Sequence, residues 1–337
     1  MVKVLVPATS ANLGPGFDAV GLALQWFDEI EIKPVRKERG SPEIRLEGKG
    51  TEGVSTDGTN LVYRAVRAVF SQLGQEVPPL SLTIKMNIPV ARGLGSSAAA
   101  IVGGLLAGNA LAEFPFSSEE LFQLACRLED HPDNVAPALF GGLTISYFSG
   151  ERFRCLKLEP PQGLSVVLAI PHYASSTAHS RRWLPRQVSL EDASFNVGRA
   201  ALLVGSLLSG RFEHLDAATR DRLHQPTRLA LFAGVPEAME AARRVGALGT
   251  ALSGGGPSVL AFAKNDKSGV VAEAMRGAFS GAGVACQVVS CRIEKQGARV
   301  VGARSGAGTP GAVGEDESDQ EPPFCDCPLP YRGKIPG

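Results

Sequence analysis

The chain has 337 residues, 44% of them hydrophobic and 20% charged, enough to bury a sizeable core and to divide into two domains. Its 34 basic and 34 acidic residues cancel, which argues against a nucleic acid or an acidic membrane as the main partner. No continuous apolar run of about 18 residues occurs, MVKVLVPATS lacks a signal-peptide layout, and the six cysteines form no C-x-x-C pair; the expectation is a cytoplasmic protein with free thiols.

Val2 to Val6 alternates as a strand does, and PATSANLGPGFDAVGLAL follows it. Asn12, Gly14, Gly16 and Asp18 set small polar groups and flexible joints beside an apolar segment; alone, such a cluster reads as a turn. Glu29 to Lys33 and Glu43 to Leu46 read as short strands. Asn60 to Leu73 has apolar residues at 61, 62, 65, 66, 69, 70 and 73, with Asn60 as cap and Gly74 as stop, which predicts a helix.

Leu80, Leu82, Ile84 and Met86 alternate; PVARGLGSSAAA (Pro89 to Ala100) comes next and runs into the small, apolar stretch AAAIVGGLLAGNAL. The pattern is strand, glycine loop, helix. Gly93 and Gly95 open conformations closed to other residues, and Ser96 or Ser97 is placed to cap the helix, whose unpaired N–H groups favour an anion such as phosphate. Gly93 to Ala98 also fits G-x-G-x-x-A, but the acidic residue a dinucleotide site wants about 20 residues on falls at Glu113, in the tail of the helix with no strand between. No G-x-x-x-x-G-K-[ST] occurs either. A phosphate loop of a third kind remains, against the bland alternative of a capped strand-to-helix turn.

Ser117 to Asp130 opens with a capping box, Ser117 and Glu120, and carries Leu121, Leu124, Ala125 and Leu128 on one face. It delivers Glu129 and Asp130 to a helix end where carboxylates gain nothing from the dipole. HPDNVAPALFGGLTIS leads from there into a strand. Leu164 to Ile170 is a continuous apolar strand, and a domain change falls shortly before it. Phe195 to Leu208 and Pro236 to Val245 read as helices. GALGTALSGGGPSVLAF sets three glycines between strand-like runs, which could be a plain hairpin. Lys267 to Gly281 suits a helix and Val284 to Arg292 a last strand. From Ala303 the composition turns to glycine, proline and acids, and a disordered tail is expected over 303–337.

PVARGLGSSAAA resembles the central phosphate-binding motif of the GHMP small-molecule kinases, PATSANLGPGFD their first motif and SGGGPS their third. PATSANLGPGFD, LEDHPDNVAPALFGG and the Ser-Thr-x-x-x-Arg-x-x-Leu-Pro spacing around Arg181 are similar to the homoserine kinase branch, and the likeness spans about Val2 to Val301. The fold this resemblance implies is α+β with two domains, a ribosomal-protein-S5-like one over 1–160 and a ferredoxin-like one over 161–302.

It further implies ATP and Mg2+ as cofactors and L-homoserine as the small-molecule partner, with O-phospho-L-homoserine as product and with room for a homodimer. Pro89, Arg92, Gly93, Leu94, Gly95, Ser96, Ser97, Ala98, Gly254 and Gly256 would surround the nucleotide, with Asn60 and Val62 by the adenine. Glu129, with Ser96 or Ser97, would hold magnesium. Asn12, Asp18, Asn134, Thr177, Arg181 and Arg228 would hold the amino acid; Asn12, Asp18, Glu129 and Arg181 are the residues expected to matter most for turnover. Two arginines favour a carboxylate-bearing substrate. Rival readings are a kinase of another small alcohol, such as mevalonate or a sugar, and a ligand-sensing relative without catalysis. The first lacks its expected lysine between Pro7 and Asp18, and the second has no need of Glu129. A general base is not evident; Asp133 is the one candidate.

Overall fold

Two long strands begin the chain: β1 (Val2–Asn12) and β2 (Gly16–Pro34) form an antiparallel hairpin with register shifts at Pro7/Ala8 and Ala11/Asn12. The structure, a computed structural model, describes residues 1–36, 41–175 and 180–301. The expected tail at 303–337 therefore lies outside the described residues, as does Thr177.

The sequence suggests strand only at Val2 to Val6 and Glu29 to Lys33, yet the ladder runs through the first motif on both sides of its turn at 13–15. The reason is burial: every residue from Val6 to Asn12 is buried, so the alternation that marks a half-exposed strand disappears. On its far side β2 forks. Val20–Leu22 pairs with β5 (Leu143–Ser149), and Glu29–Pro34 pairs with β4 (Leu80–Met86). With β3 (Glu43–Gly48), β6 (Arg152–Leu158) and β11 (Arg299–Val301) this makes seven strands in the order β11-β1-β2-β4-β3, the β5-β6 arm branching from β2.

Helices α1 (Leu61–Gln72), α2 (Ser96–Leu111), α3 (Ser118–Glu129) and α4 (Val135–Phe140) accompany this sheet. The Asn60 side chain caps α1 and the Ser117–Glu120 capping box starts α3, as their sequences suggest. α2 is apolar on all sides because it is enclosed on all sides. Gly104 lets it approach α1: a Cβ there would lie 2.4 Å from the Val62 carbonyl oxygen.

The second sheet has four antiparallel strands in the order β10-β7-β9-β8: β7 (Leu164–Pro171), β8 (Gly249–Leu252), β9 (Val259–Lys264) and β10 (Cys286–Cys291). Helices α5 (Leu190–Ser209), α6 (Leu215–Ala218), α7 (Gln225–Leu229), α8 (Val235–Arg244) and α9 (Ser268–Gly281) complete this half. α5 starts earlier than its apolar pattern suggests because Ser189 caps it, accepting from the Asp192 N–H. Every residue of β7 is buried: Val166, Leu168 and Ile170 join the main core while Val167 and Ala169 join a second core with α8 and α9. That two-sided burial explains the unbroken apolar run. No helix among the described residues is long and apolar enough to cross a membrane.

Candidate active site

All three glycine-bearing motifs meet at one cleft of about 230 Å3. The central loop between β4 and α2 lines it with Gly93, Leu94 and Gly95, and the first turn of α2 with Ser96 and Ser97; the end of β1 contributes Asn12 and the start of β2 Asp18; the β8–β9 hairpin loop contributes Gly254, Gly255 and Gly256. Glu129 from the end of α3, Asn134 from the start of α4, and Arg181 and Arg228 also line it, as the sequence leads one to expect. A larger recess of about 790 Å3 along α1, among Tyr63, Arg64 and Arg67, holds none of these motif residues.

The glycines of the central loop are there for contact as well as conformation. Gly93 (φ 76°) and Gly95 (φ 69°) are left-handed, and a Cβ would fall 2.1 Å from the Ser253 carbonyl oxygen at the first and 1.9 Å from Thr9 Oγ1 at the second. Gly95 is itself the N-cap of α2, so neither Ser96 nor Ser97 caps the helix as the sequence suggests. Both serines sit in the first turn, beside the positive end of the helix and its unpaired N–H groups. Ser97 Oγ donates to Glu129 Oε2 at 2.6 Å.

Burial pushes the Glu129 carboxyl pKa up, against the lowering effect of that serine bond. One carboxylate and one hydroxyl, both facing the phosphate loop, form an all-oxygen pair suited to magnesium, which takes one or two carboxylates and fills its sphere with phosphate oxygens and water. No cluster of three His, Cys, Asp or Glu that could hold a metal unaided exists among the described residues.

The loops are braced across the cleft. Asn12 Nδ2 donates to the Gly254 carbonyl at 2.9 Å while its Oδ1 accepts from the Asp18 N–H at 2.9 Å, so this carboxamide ties the first motif to the third. Ser253 Oγ donates to the Gly93 carbonyl at 2.6 Å. Asn12, Leu13, Asp18 and Ala91 all have positive φ, a concentration of sparsely populated backbone around one site.

On the other wall Arg181 and Asp18 form a two-pronged ion pair, Nη1–Oδ2 at 3.0 Å and Nη2–Oδ1 at 2.6 Å. Burial opposes the Arg181 charge but the Asp18 bonds prevail and raise its pKa. Arg228 is 1% exposed and its guanidinium carbon, like that of Arg181, lies 5.6 Å from the centre of the Phe17 ring. Burial first, then the nearby Arg181, bring its pKa down to about 10. Among the described residues it has no ion pair, and its Nε has no hydrogen-bond partner.

Five other expected residues lie outside the cleft wall. Asn60 caps α1, Val62 and Ala98 are buried in the core, and Pro89 lies early in the central loop. Arg92 is committed to backbone carbonyls, those of Pro171 at 2.9 Å, Val90 at 3.1 Å and His172, bracing the loop against β7.

The cleft also holds residues the sequence reading gave no role. His131 Nδ1 lies 2.9 Å from Asp133 Oδ1, and although burial opposes it, the Asp133 and Glu129 carboxylates hold the imidazole pKa above its ordinary value. Ser175 lines the wall, and its buried hydroxyl has no partner among the described residues. The His-x-Asp spacing after Glu129 was visible in the sequence; nothing marked Ser175.

The GHMP kinases N terminal domain family matches residues 60–142 and the GHMP kinases C terminal family residues 203–281. A homoserine kinase of Moorella thermoacetica is 47% identical over 301 residues, covering 89% of this chain and 100% of the relative. That of Carboxydothermus hydrogenoformans is 46% identical over 298 residues, 88% of this chain and 96% of the relative. The crystal structure of a homoserine kinase from Cytophaga hutchinsonii superposes with a TM-score of 0.81 at 29% identity, covering 89% of this chain and 97% of that one. A mevalonate kinase structure, at 13% identity and TM-score 0.66, shares the fold alone.

Proposed function

The chain belongs to the GHMP kinases, in their homoserine kinase branch, and on that footing we propose how its cleft divides the work between nucleotide and amino acid. The reaction is ATP-dependent phosphorylation of the L-homoserine hydroxyl to O-phospho-L-homoserine, a step of threonine biosynthesis. Transfer of a phosphoryl group through a loose transition state asks mainly for position and charge neutralisation and little of a base.

The observation that supports the assignment of residues is that Arg181 and Arg228, distant in sequence from the glycine loop, share one small cleft with it. The N–H groups of Gly93 to Ser97 and the start of α2 cradle the ATP phosphates. Ser97 and Glu129 would hold Mg2+, which when bound would supply positive charge to the phosphate oxygens.

Arg228 is a buried cation awaiting an anion, and the substrate carboxylate provides one. A zwitterionic amino acid also brings an ammonium for Asp18 while Arg181 turns toward the same carboxylate, so the internal ion pair is exchanged rather than merely broken. Asn134 accepts from Thr9 Oγ1 at 2.8 Å and sits between loop and amino acid, where it steadies the reacting hydroxyl.

An ADP-release assay with L-homoserine, mevalonate and galactose tests the assignment. Turnover is expected with homoserine, and Arg181→Ala is expected to raise KM for homoserine more than about tenfold with KM for ATP unchanged. Unaltered homoserine kinetics in that variant would remove Arg181 from the site.

A further inference from the structure

Arg228 raises a question of orientation. A planar guanidinium grips a carboxylate well only when its plane is fixed, yet this one has no carboxylate partner among the described residues. Its one side-chain hydrogen bond among the described residues is to a histidine: Arg228 Nη1 lies 2.8 Å from His224 Nδ1. Both side chains are fully buried, at 1% and 0% exposure.

Arginine can only donate, so Nδ1 must be the bare nitrogen of a neutral ring. The hydrogen then sits on Nε2, which lies 2.7 Å from the Gly14 carbonyl oxygen and donates to it. Only this tautomer satisfies both contacts. Burial, the largest influence, outweighs the buried Asp221 carboxylate 3.7 Å from Nε2, which favours the charged ring, and with Arg228 adding to it holds the His224 pKa below its ordinary value, in keeping with a neutral ring.

The ring cannot drift. Asp221 accepts from the N–H groups of Leu223 at 3.0 Å, His224 at 3.0 Å and Gln225 at 2.6 Å, fixing the backbone at the start of α7. Phe17 packs on the imidazole with ring centres 5.2 Å apart. Gly14 lies in the β1–β2 turn, between Asn12 at the end of β1 and Asp18 at the start of β2.

We propose that His224 is a positioning residue for the amino-acid substrate: as a neutral bridge from the Gly14 carbonyl to Arg228 Nη1, it sets the plane of the guanidinium and locks it to the β1–β2 hairpin that bears Asp18. With Nη1 committed to the imidazole, the carboxylate is taken by the donors that remain. This rests on the reading of Arg228 as a carboxylate grip, and the two can fail separately.

Three variants separate the two ends of the bridge. His224→Asn places an oxygen near the Nδ1 position and keeps the acceptor for Arg228. His224→Gln reaches the Nε2 position and keeps the donor for Gly14. His224→Ala keeps neither. Steady-state kinetics on each, beside Arg228→Ala, are expected to show KM for homoserine raised about tenfold in His224→Ala and His224→Gln, with KM for ATP within about twofold of wild type. His224→Asn should recover most of the loss. Wild-type KM for homoserine in His224→Gln overturns the proposal, as does rescue by Gln but not Asn, or an equal rise in KM for ATP. If the alanine variant does not fold, the Asn and Gln pair decides alone. If Arg228→Ala leaves KM for homoserine unchanged, the carboxylate assignment itself falls and takes this inference with it.

Discussion

Half-buried Glu129 and buried Asp28 carry carboxylates with opposite reasons to exist. Glu129 faces the cleft, held by one serine hydroxyl, and burial puts a cost on its charge that a bound cation would remove. Glu129→Gln keeps the shape and the Ser97 bond but loses the metal ligand, so kcat/KM should fall by about a hundredfold or more while the protein melts no lower than wild type above neutral pH. A variant with near-normal turnover would show that Glu129 is not a ligand. Asp28 lies away from the cleft wall, at 6% exposure, and its Oδ1 accepts from the N–H groups of Asn87 at 2.6 Å and Ile88 at 2.8 Å, anchoring the approach to the glycine loop. Burial, against those two bonds, raises its pKa from 3.8 to about 6. The folded state therefore prefers the protonated acid: the stabilisation is full below pH 4 and is lost as pH rises through about 6, in total roughly 3 kcal/mol. Asp28→Asn keeps an oxygen for both N–H groups without the charge, so its melting temperature should exceed that of wild type at pH 8 and converge with it near pH 4. A gap that does not change with pH would mean that Asp28 is ionised at no cost.

At the scale of elements, local chemistry wrote itself plainly into the sequence wherever it stayed local. The Asn60 cap, the Ser117–Glu120 box and the strand–glycine–helix order around Gly93 needed only neighbours a few residues away. What the sequence hid was long-range. Arg92 looks like a phosphate ligand in a phosphate loop, and only the position of β7 reveals that its donors go to Pro171 and His172. Asn12 is expected to touch substrate from the cleft wall, and only the third motif's return shows that its side chain also braces Gly254. The first motif vanished as strand because burial on both faces erased its period. Gly104 in α2 shows the same conflict between local preference and packing. Alanine there would improve helix propensity by about 1 kcal/mol, but its Cβ would meet the Val62 carbonyl oxygen at 2.4 Å, a backbone atom that cannot step aside. Overpacking of that kind costs roughly 1–3 kcal/mol, so Gly104→Ala should lower the urea midpoint despite the better helix former. A raised midpoint would show that α1 and α2 can separate freely.

Across the whole molecule, the end of the described chain supports its beginning. After β10 the chain crosses back, Glu294 N–H donating to the Ala23 carbonyl at 2.9 Å, and Ala298 N–H donates to the Ala138 carbonyl of α4 at 2.8 Å. It then adds β11 beside β1, pairing Lys3 with Val301, Val4 with Val300 and Leu5 with Arg299. Nothing in the short run RVV advertised a strand, since its partner lies almost 300 residues earlier. The consequence reaches the site, because α4 begins at Asn134 and the strand that β11 covers leads into Asn12. Deletion from Gln296 onward should therefore do two things at once: expose the edge of β1 and free α4 from its clamp. We expect a drop in melting temperature on the order of 10 °C together with loss of turnover. Deletion from Arg304 onward leaves every residue of the cleft and β11 in place, and kcat/KM for homoserine should match that of the full chain. Equal stability of the two truncations would show that the returning segment is a passenger, and that β1 holds the first motif in shape without it.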